Sequence, residues 1–212
     1  MKLADIRKEY SSKTLDIKGM FTSPLEQFEL WLSEAITAQV NEPTAMHLCT
    51  VDAEMRPAGR IVLLKGVDQG FVFFTNYGSN KSQQLSHQPY ASLTFFWPEL
   101  ERQVRVSGTV ARISALESDE YYLSRPQESQ IGAWVSPQSQ VIPDRAFLEK
   151  RLVEAVSKFQ KEPLKRPENW GGFRLEPESM EFWQGRPARL HDRILYTLSV
   201  TDNHWKMERL AP

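Results

Sequence analysis

Cysteine is almost missing: Cys49 is the single thiol in 212 residues. That excludes an internal disulfide framework and any cysteine cluster for zinc or iron–sulfur binding, so a reducing compartment is expected. The histidines, His47, His87, His191 and His204, are scattered without metal-ligand spacing, and no metal is expected. Long apolar runs are also missing. Stretches such as Ile61 to Leu64 are far too short to span a bilayer, and Met1 to Tyr10 is charged rather than apolar. Nor does charge of one sign dominate: 26 Lys and Arg stand against 27 Asp and Glu, a formal net charge of -1. This removes any general electrostatic argument for nucleic acid. The expectation is a cytosolic protein with neither membrane nor nucleic acid as partner.

What is there reads as α+β, mainly β. Ser23 and Glu26 form a capping box with Pro24 at the first helical position, opening a helix with Leu25, Phe28, Leu32 and Ile36 on its core face. After Pro43 come short runs rich in branched and aromatic residues, at Thr44–Val51, Gly59–Val67, Phe71–Asn76, Ala91–Trp97 and Arg102–Ile113. Ser114 and Glu117 cap a second helix that Pro126 interrupts or restarts. A third, Asp144–Gln160, carries Leu148, Leu152, Val156 and Phe159 on one side. Gly171-Gly172 reads as a loop before four final strands, Phe173–Leu175, Ser179–Trp183, Arg193–Val200 and Trp205–Leu210. Five strands close together, with no repeat or long linker, favour one domain over residues 1–212: an antiparallel barrel with helices packed around it.

Several clusters of polar side chains carry candidate chemistry. Alternation on a strand would put Arg189, His191 and Arg193 on one face, beside the aromatic segment Glu181 to Gly185, which suits a flat anionic aromatic ligand. An exposed hairpin edge decorated with charge explains the same pattern. Arg60 and Lys65, an odd number of residues apart, fall on opposite faces of a regular strand, about 17 Å apart at 3.3 Å per residue, so they would hold two different phosphates or merely snorkel. Gly78-Ser79-Asn80-Lys81 is a helix start with a lysine, a workable phosphate site or an ordinary solvated turn. Tyr121, Arg125 and Ser129 are spaced by four, so a phosphate-binding row forms if helical geometry survives Pro126; otherwise they decorate a solvated face. The Gln103 amide, facing away from Val104 and Val106, suits the polar edge of a heterocycle or simply solvent.

In ordered succession, Arg60 to Lys65, Glu101-Arg102-Gln103, Ser124 to Ser136, Trp170-Gly-Gly-Phe173, Phe182-Trp-Gln-Gly185, Arg189-Leu-His-Asp-Arg193 and the closing Glu208 to Pro212 resemble the pyridoxamine 5'-phosphate oxidase family over nearly the whole chain. The resemblance implies an FMN-binding split barrel, working as a homodimer with its active sites at the subunit interface. Carried over by position, FMN contacts fall on Arg60, Ile61, Val62, Leu63, Leu64, Lys65, Phe74, Thr75, Lys81, Gln103, Gln138, Ser139, Trp183 and Arg193. Substrate phosphate contacts fall on Lys65, Tyr121, Arg125 and Ser129, while Arg189, Leu190 and His191 would line the pyridine ring. Arg189 and His191 are the implied catalytic pair, His191 either transferring a proton or only orienting. Arg7, Lys8, Glu9 and Tyr10 match a segment, within a mobile stretch 1–20, that can fold over the substrate. Asn80 stands where many members carry a second basic residue, and weaker flavin retention is expected.

The implied reaction oxidises pyridoxamine 5'-phosphate and pyridoxine 5'-phosphate to pyridoxal 5'-phosphate. Hydride passes from C4' to flavin N5, and O2 reoxidises the flavin to give H2O2. Two alternatives remain open on the residues: a non-catalytic flavin or pyridoxal phosphate carrier, and a split-barrel flavin reductase with another substrate.

Overall fold

In the computed structural model, residues 3, 9–10, 13–199 and 201–212 are described. The strands are β1 (Ala45–Val51), β2 (Pro57–Leu63), β3 (Gly66–Val67), β4 (Phe71–Asn76), β5 (Tyr90–Trp97), β6 (Arg102–Arg112), β7 (Trp170–Gln184), β8 (Asp192–Leu198) and β9 (Trp205–Leu210). The helices are α1 (Pro24–Thr37), α2 (Asn80–His87), α3 (Ala115–Ser124), α4 (Gln127–Val135) and α5 (Arg145–Phe159). Each strand pairing is antiparallel, in the order β2-β1-β5-β6-β7-β4-β3.

The expected single strand Gly59–Val67 is two, and the break is what curls the sheet. Leu64 donates its N–H to Thr44 on the β1 side, and Lys65 donates to Val72 of β4. The two strands at opposite ends of the hydrogen-bonded path are therefore joined by two residues, which forces the ends together. A second correction concerns the final strands. Phe173–Leu175 and Ser179–Trp183 belong to one long β7, and Gly171-Gly172 lies in it rather than in a loop. Pro177 is tolerated because the register with β6 shifts between Ser107 and Gly108, a bulge that needs no ladder donor there. One edge of β7 follows β6 from Phe173 to Gln184; the other is shared, Trp170–Leu175 pairing with β4 and Ser179–Gln184 with β8. This division makes the barrel split.

Phe28, fully buried, packs 4.8 Å from both Phe71 and Phe95, and Trp31 meets Phe182 edge-on at 5.1 Å. Burying such a ring contributes roughly 1.5–3 kcal/mol. The core face of α1 is Gln27, Phe28, Trp31 and Ala35, while Ile36 is 55% exposed, so the expected face is rotated toward the aromatic residues the barrel can enclose. Ser23 accepts from the Glu26 N–H as anticipated, and the Ser114–Glu117 capping box is complete. Helix α5 packs on α4 through Leu148, Ala155 and Phe159, but Leu152 and Val156 are exposed, because α4 covers only a narrow stripe. Of the expected strand Arg193–Val200, Val200 lies outside the described residues.

Among the described residues, no helix is long and apolar enough to cross a membrane, and no group of His, Cys, Asp and Glu could hold a metal ion.

Candidate active site

A cavity of about 480 Å³ opens between β2, β4, the α3–α4 corner and the start of β7. Its lining includes Ile61, Val62, Leu63, Lys65, Phe74, Thr75, Lys81, Tyr121, Arg125, Ser129 and Gln138. The lining holds the cations Lys65, Lys81 and Arg125 and no carboxylate. None of the three forms an ion pair within the described residues. A concave, partly apolar site with uncompensated positive charge fits an anion bearing a flat ring.

Tyr121, Arg125 and Ser129 meet here although the helix does not survive Pro126. Helix α3 stops at Ser124, Arg125 is extended, and α4 restarts at Gln127. The proline ring forbids α geometry at the residue before it. The corner is fixed instead by Gln130, whose side-chain amide donates to the Leu123 and Arg125 carbonyls at 3.2 and 2.8 Å. A bend, not a straight row, turns the three side chains into one cavity. Within it Arg125 Nη1 is buried with no hydrogen-bond partner, the one such side-chain atom among the described residues. Burial holds the Arg125 guanidinium below its ordinary value and pushes the Tyr121 phenol up. A buried donor without an acceptor costs about 1–3 kcal/mol, so this atom is built for a ligand.

At the other end of the cavity, Lys81 Nζ donates to Gln138 Oε1 at 2.9 Å, Thr75 Oγ1 at 3.1 Å and Ser79 Oγ at 3.2 Å. Burial and then the nearby Arg60 charge pull its amine below the ordinary lysine value. Arg60 and Ser139 do not line the cavity; Arg60, on the inward face of β2 behind Lys81, donates to the Leu48 carbonyl, Thr50 Oγ1 and Gln84 Oε1. Two neighbouring cations without a counter-charge suit a second anionic group. Ser79 is the N-cap of α2 but makes no capping bond, its hydroxyl turned to Ser82 and Lys81. Asn80 donates its backbone N–H to Ser139 Oγ at 3.3 Å. The side chain of Leu64 enters the core and its N–H is bonded to Thr44, so Leu64 does not line this cavity.

Gln103, Trp183, Arg189, Leu190, His191 and Arg193 do not line this cavity. They gather along β6, β7 and β8, where Gln103 pairs with Trp183 and Trp183 with Arg193. The expected row Arg189, His191 and Arg193 does not exist as one strand face. Residues Pro187–Arg189 form a 3-10 turn, and β8 starts only at Asp192. Ala188 and Arg189 have φ of 54° and 61°, left-handed values that side chains with a Cβ adopt reluctantly. The His191 ring lies 4.6 Å from that of Trp183. Its Nδ1 accepts the Arg186 N–H at 3.1 Å, so in the neutral ring the proton sits on Nε2. Tyr10 packs edge-on against Trp183 and His191, at 5.6 and 5.8 Å. Glu9 is exposed, and the expected contacts at Arg7 and Lys8 lie outside the described residues.

Six residues escaped sequence reasoning. Asn76, Gly132, Ala133, Ser136 and Trp170 line the cavity, and buried Glu181 holds Arg193. Trp170 and Ser136 stand inside the motifs that carried the resemblance, and Glu181 directly precedes another. Only their place in the sheet or loop gives them a role.

This fold defines a class, the split barrels, whose solved relatives include flavin-binding proteins. Residues 32–158 match the family described as pyridoxamine 5'-phosphate oxidase, and residues 170–212 match the pyridoxine 5'-phosphate oxidase C-terminal dimerisation region. The chain belongs to the pyridoxamine 5'-phosphate oxidase family. It is 53% identical over 211 residues to the pyridoxine/pyridoxamine 5'-phosphate oxidase of Paraburkholderia phytofirmans and 55% identical to that of Paraburkholderia phymatum, with 99% of each chain covered. Among solved structures, PhzG from Burkholderia lata, in complex with tetrahydrophenazine-1-carboxylic acid, superposes with a TM-score of 0.88 at 30% identity, covering 95% of this chain and all of that one. A pyridoxamine 5'-phosphate oxidase-related, FMN-binding protein from Nostoc punctiforme has a TM-score of 0.72 at 20% identity, covering 91% of this chain and 100% of that one, which is a likeness of fold.

Proposed function

We propose that this protein oxidises pyridoxamine 5'-phosphate and pyridoxine 5'-phosphate to pyridoxal 5'-phosphate, with FMN as its cofactor and dioxygen as the final electron acceptor. The observation that carries the reading is the buried, unpartnered Arg125 Nη1 in a cavity lined by cations and no carboxylate. Lys65, Tyr121, Arg125 and Ser129 hold the vitamin's phosphate by charge-assisted hydrogen bonds. Arg60 and Lys81 neutralise the FMN phosphate, with Thr75, Gln138 and Ser139 around it, and the Ile61 to Lys65 backbone and Phe74 flank the ring system. When bound, FMN supplies the hydride-accepting and dioxygen-reducing chemistry.

The protein's own work is placement, since two separate phosphate clamps fix the rings without touching the reacting carbon. Arg189, Leu190, His191, Gln103, Trp183 and Arg193 complete each site from a second copy of the chain, which accounts for their absence from the cavity of their own subunit. That most of this group falls in residues matching a dimerisation region supports the arrangement. His191, with its proton on Nε2, is set to donate a hydrogen bond toward the substrate, and Arg189 contributes the charge opposite its amine or alcohol. Tyr10 covers the ring and excludes water.

Purified protein should be yellow and should consume oxygen and release peroxide when given pyridoxamine 5'-phosphate. Binding of both ligands without oxygen consumption would identify a carrier instead. Turnover only on substrates without a phosphate would point to a flavin reductase of another kind.

A further inference from the structure

Trp170 stands outside every role assigned above, yet it is the largest side chain facing the phosphate clamp. Its indole is 8% exposed and lies nearly parallel to the Tyr121 ring, at 7° and 6.2 Å, and to the Phe74 ring, at 14° and 5.5 Å. Phe74 and Tyr121 stack directly at 3.8 Å. Over the indole face sits Arg125, its Cζ 4.6 Å from the ring centroid. The guanidinium whose Nη1 has no hydrogen-bond partner is thus borne on a π face that attracts cations but accepts no directed N–H bond in the cavity plane.

The two residues after Trp170 explain how this column can be so tight. A methyl on Gly172 would come within 2.9 Å of Phe74 Cε1, and one on Gly171 would overlap the Tyr77 hydroxyl and reach 3.0 Å from Ser118 Oγ. Without side chains there, α3 and β4 close onto β7; Ser118 accepts the Gly172 N–H at 3.3 Å and Tyr77 donates to the Gly172 carbonyl at 3.3 Å. The Trp170 carbonyl accepts from Arg166 Nη1 at 2.6 Å, while Arg166 Nε pairs with Asp119 of α3 at 2.6 Å. The backbone carrying the indole is therefore anchored to the helix that carries Tyr121.

From this we infer that Trp170 is a positioning residue for phosphate recognition: its indole face supports the Arg125 guanidinium so that Nη1 points, free, at the phosphate of the ligand. The inference rests on the reading of Arg125 as a phosphate ligand. It deepens that reading by assigning the stack, and the glycine pair that permits it, to selection of phosphorylated over unphosphorylated vitamin.

The test is binding of pyridoxal 5'-phosphate, followed by its absorbance, with unphosphorylated pyridoxal as the control. Trp170→Leu should weaken the phosphorylated ligand roughly five- to twentyfold and leave pyridoxal unaffected, and Trp170→Phe should recover most of the loss. In an Arg125→Ala background, Trp170→Leu should add nothing further. Equal weakening of both ligands, or the same loss with Arg125 absent, would overturn the role. Should Trp170→Leu fail to fold, fluorinated tryptophan incorporated throughout the chain keeps the shape and weakens the π face. Affinity should then fall with fluorine number in the native sequence and stay flat in Trp170→Phe, and a flat response in both would overturn the inference. A native protein that oxidises nothing yet binds pyridoxal 5'-phosphate in this Trp170-dependent way sinks the oxidase reading and leaves the clamp standing.

Discussion

Glu181 and Arg193 face each other across β7 and β8 through two hydrogen bonds, Nε to Oε1 at 2.9 Å and Nη2 to Oε2 at 3.1 Å. The carboxylate is 5% exposed and is shared with Arg105, while Arg193 Nη1 donates to the Ala211 carbonyl at 2.8 Å. Although burial pushes the Glu181 carboxyl up, the bonds from Arg193 and Arg105 hold it below the usual carboxylate range. The proposed flavin contact is thus oriented by a buried anion beneath it.

Replacing Glu181 with Gln should therefore loosen Arg193. Weakening the three charge-assisted bonds of Glu181, two from Arg193 and one from Arg105, is expected to cost about 1–3 kcal/mol, moderated because both arginines reach solvent. Urea unfolding reads the stability, and flavin released on gel filtration reads the orientation of Arg193. Unchanged flavin retention would separate Glu181 from the site.

Arg125→Ala and Lys65→Ala remove charge-assisted phosphate bonds worth on the order of 1.5–3 kcal/mol each, so the substrate requirement should rise roughly ten- to a hundredfold. FMN content should stay normal. Steady-state KM and flavin absorbance on the same preparations decide this, and an unaltered KM refutes the assignment.

Arg60→Ala should release flavin, read by the fluorescence of the eluted fraction. Lys81 adds a pH dependence. Its folded value lies below the ordinary 10.5. Between the two values the unfolded chain binds the extra proton, so this residue makes the flavin-free protein more stable as pH rises through that window. Lys81→Met should flatten that slope in thermal melts.

At the acid end the slope has the same sign. Arg174 donates to Asp68 at 2.9 Å and to Glu117 at 2.8 Å, tying the β3–β4 turn to α3. Its bond lowers Glu117 to about 2, helped by Ser114, and also holds Asp68 below its ordinary value. Stability from these carboxylates is fully present above their unfolded values and is lost as pH falls toward 2. Arg174→Met should reduce the difference in melting temperature between pH 6 and pH 3, which are ordinary assay conditions on either side of the carboxylate range.

The proposed division of the site between two copies of the chain gives a further expectation. Arg125→Ala and Arg189→Ala proteins, each poorly active, should regain activity when dissociated and reassociated together. Random pairing gives one intact site in each mixed dimer, or about a quarter of native turnover. No recovery would place both residues in one subunit's site.

The local order of residues was enough to announce most of the strands and the helix starts capped by Ser23 and Ser114, because pleat alternation and capping serines each leave a mark within a few positions. Tertiary structure decided the remainder. Arg189 and His191 leave the strand face because Ala188 and Arg189 take left-handed backbone, which no neighbouring glycine announces. Trp170 gains Arg125 because the α3–α4 corner packs on the start of β7, and Glu181 gains Arg193 through the pairing of β7 with β8. Tyr121, Arg125 and Ser129 converge because Pro126 breaks the helix on which their spacing alone would have aligned them. Short-range periodicity encodes which face a residue shows; which faces meet depends on long-range pairing and on where the chain is forced to bend.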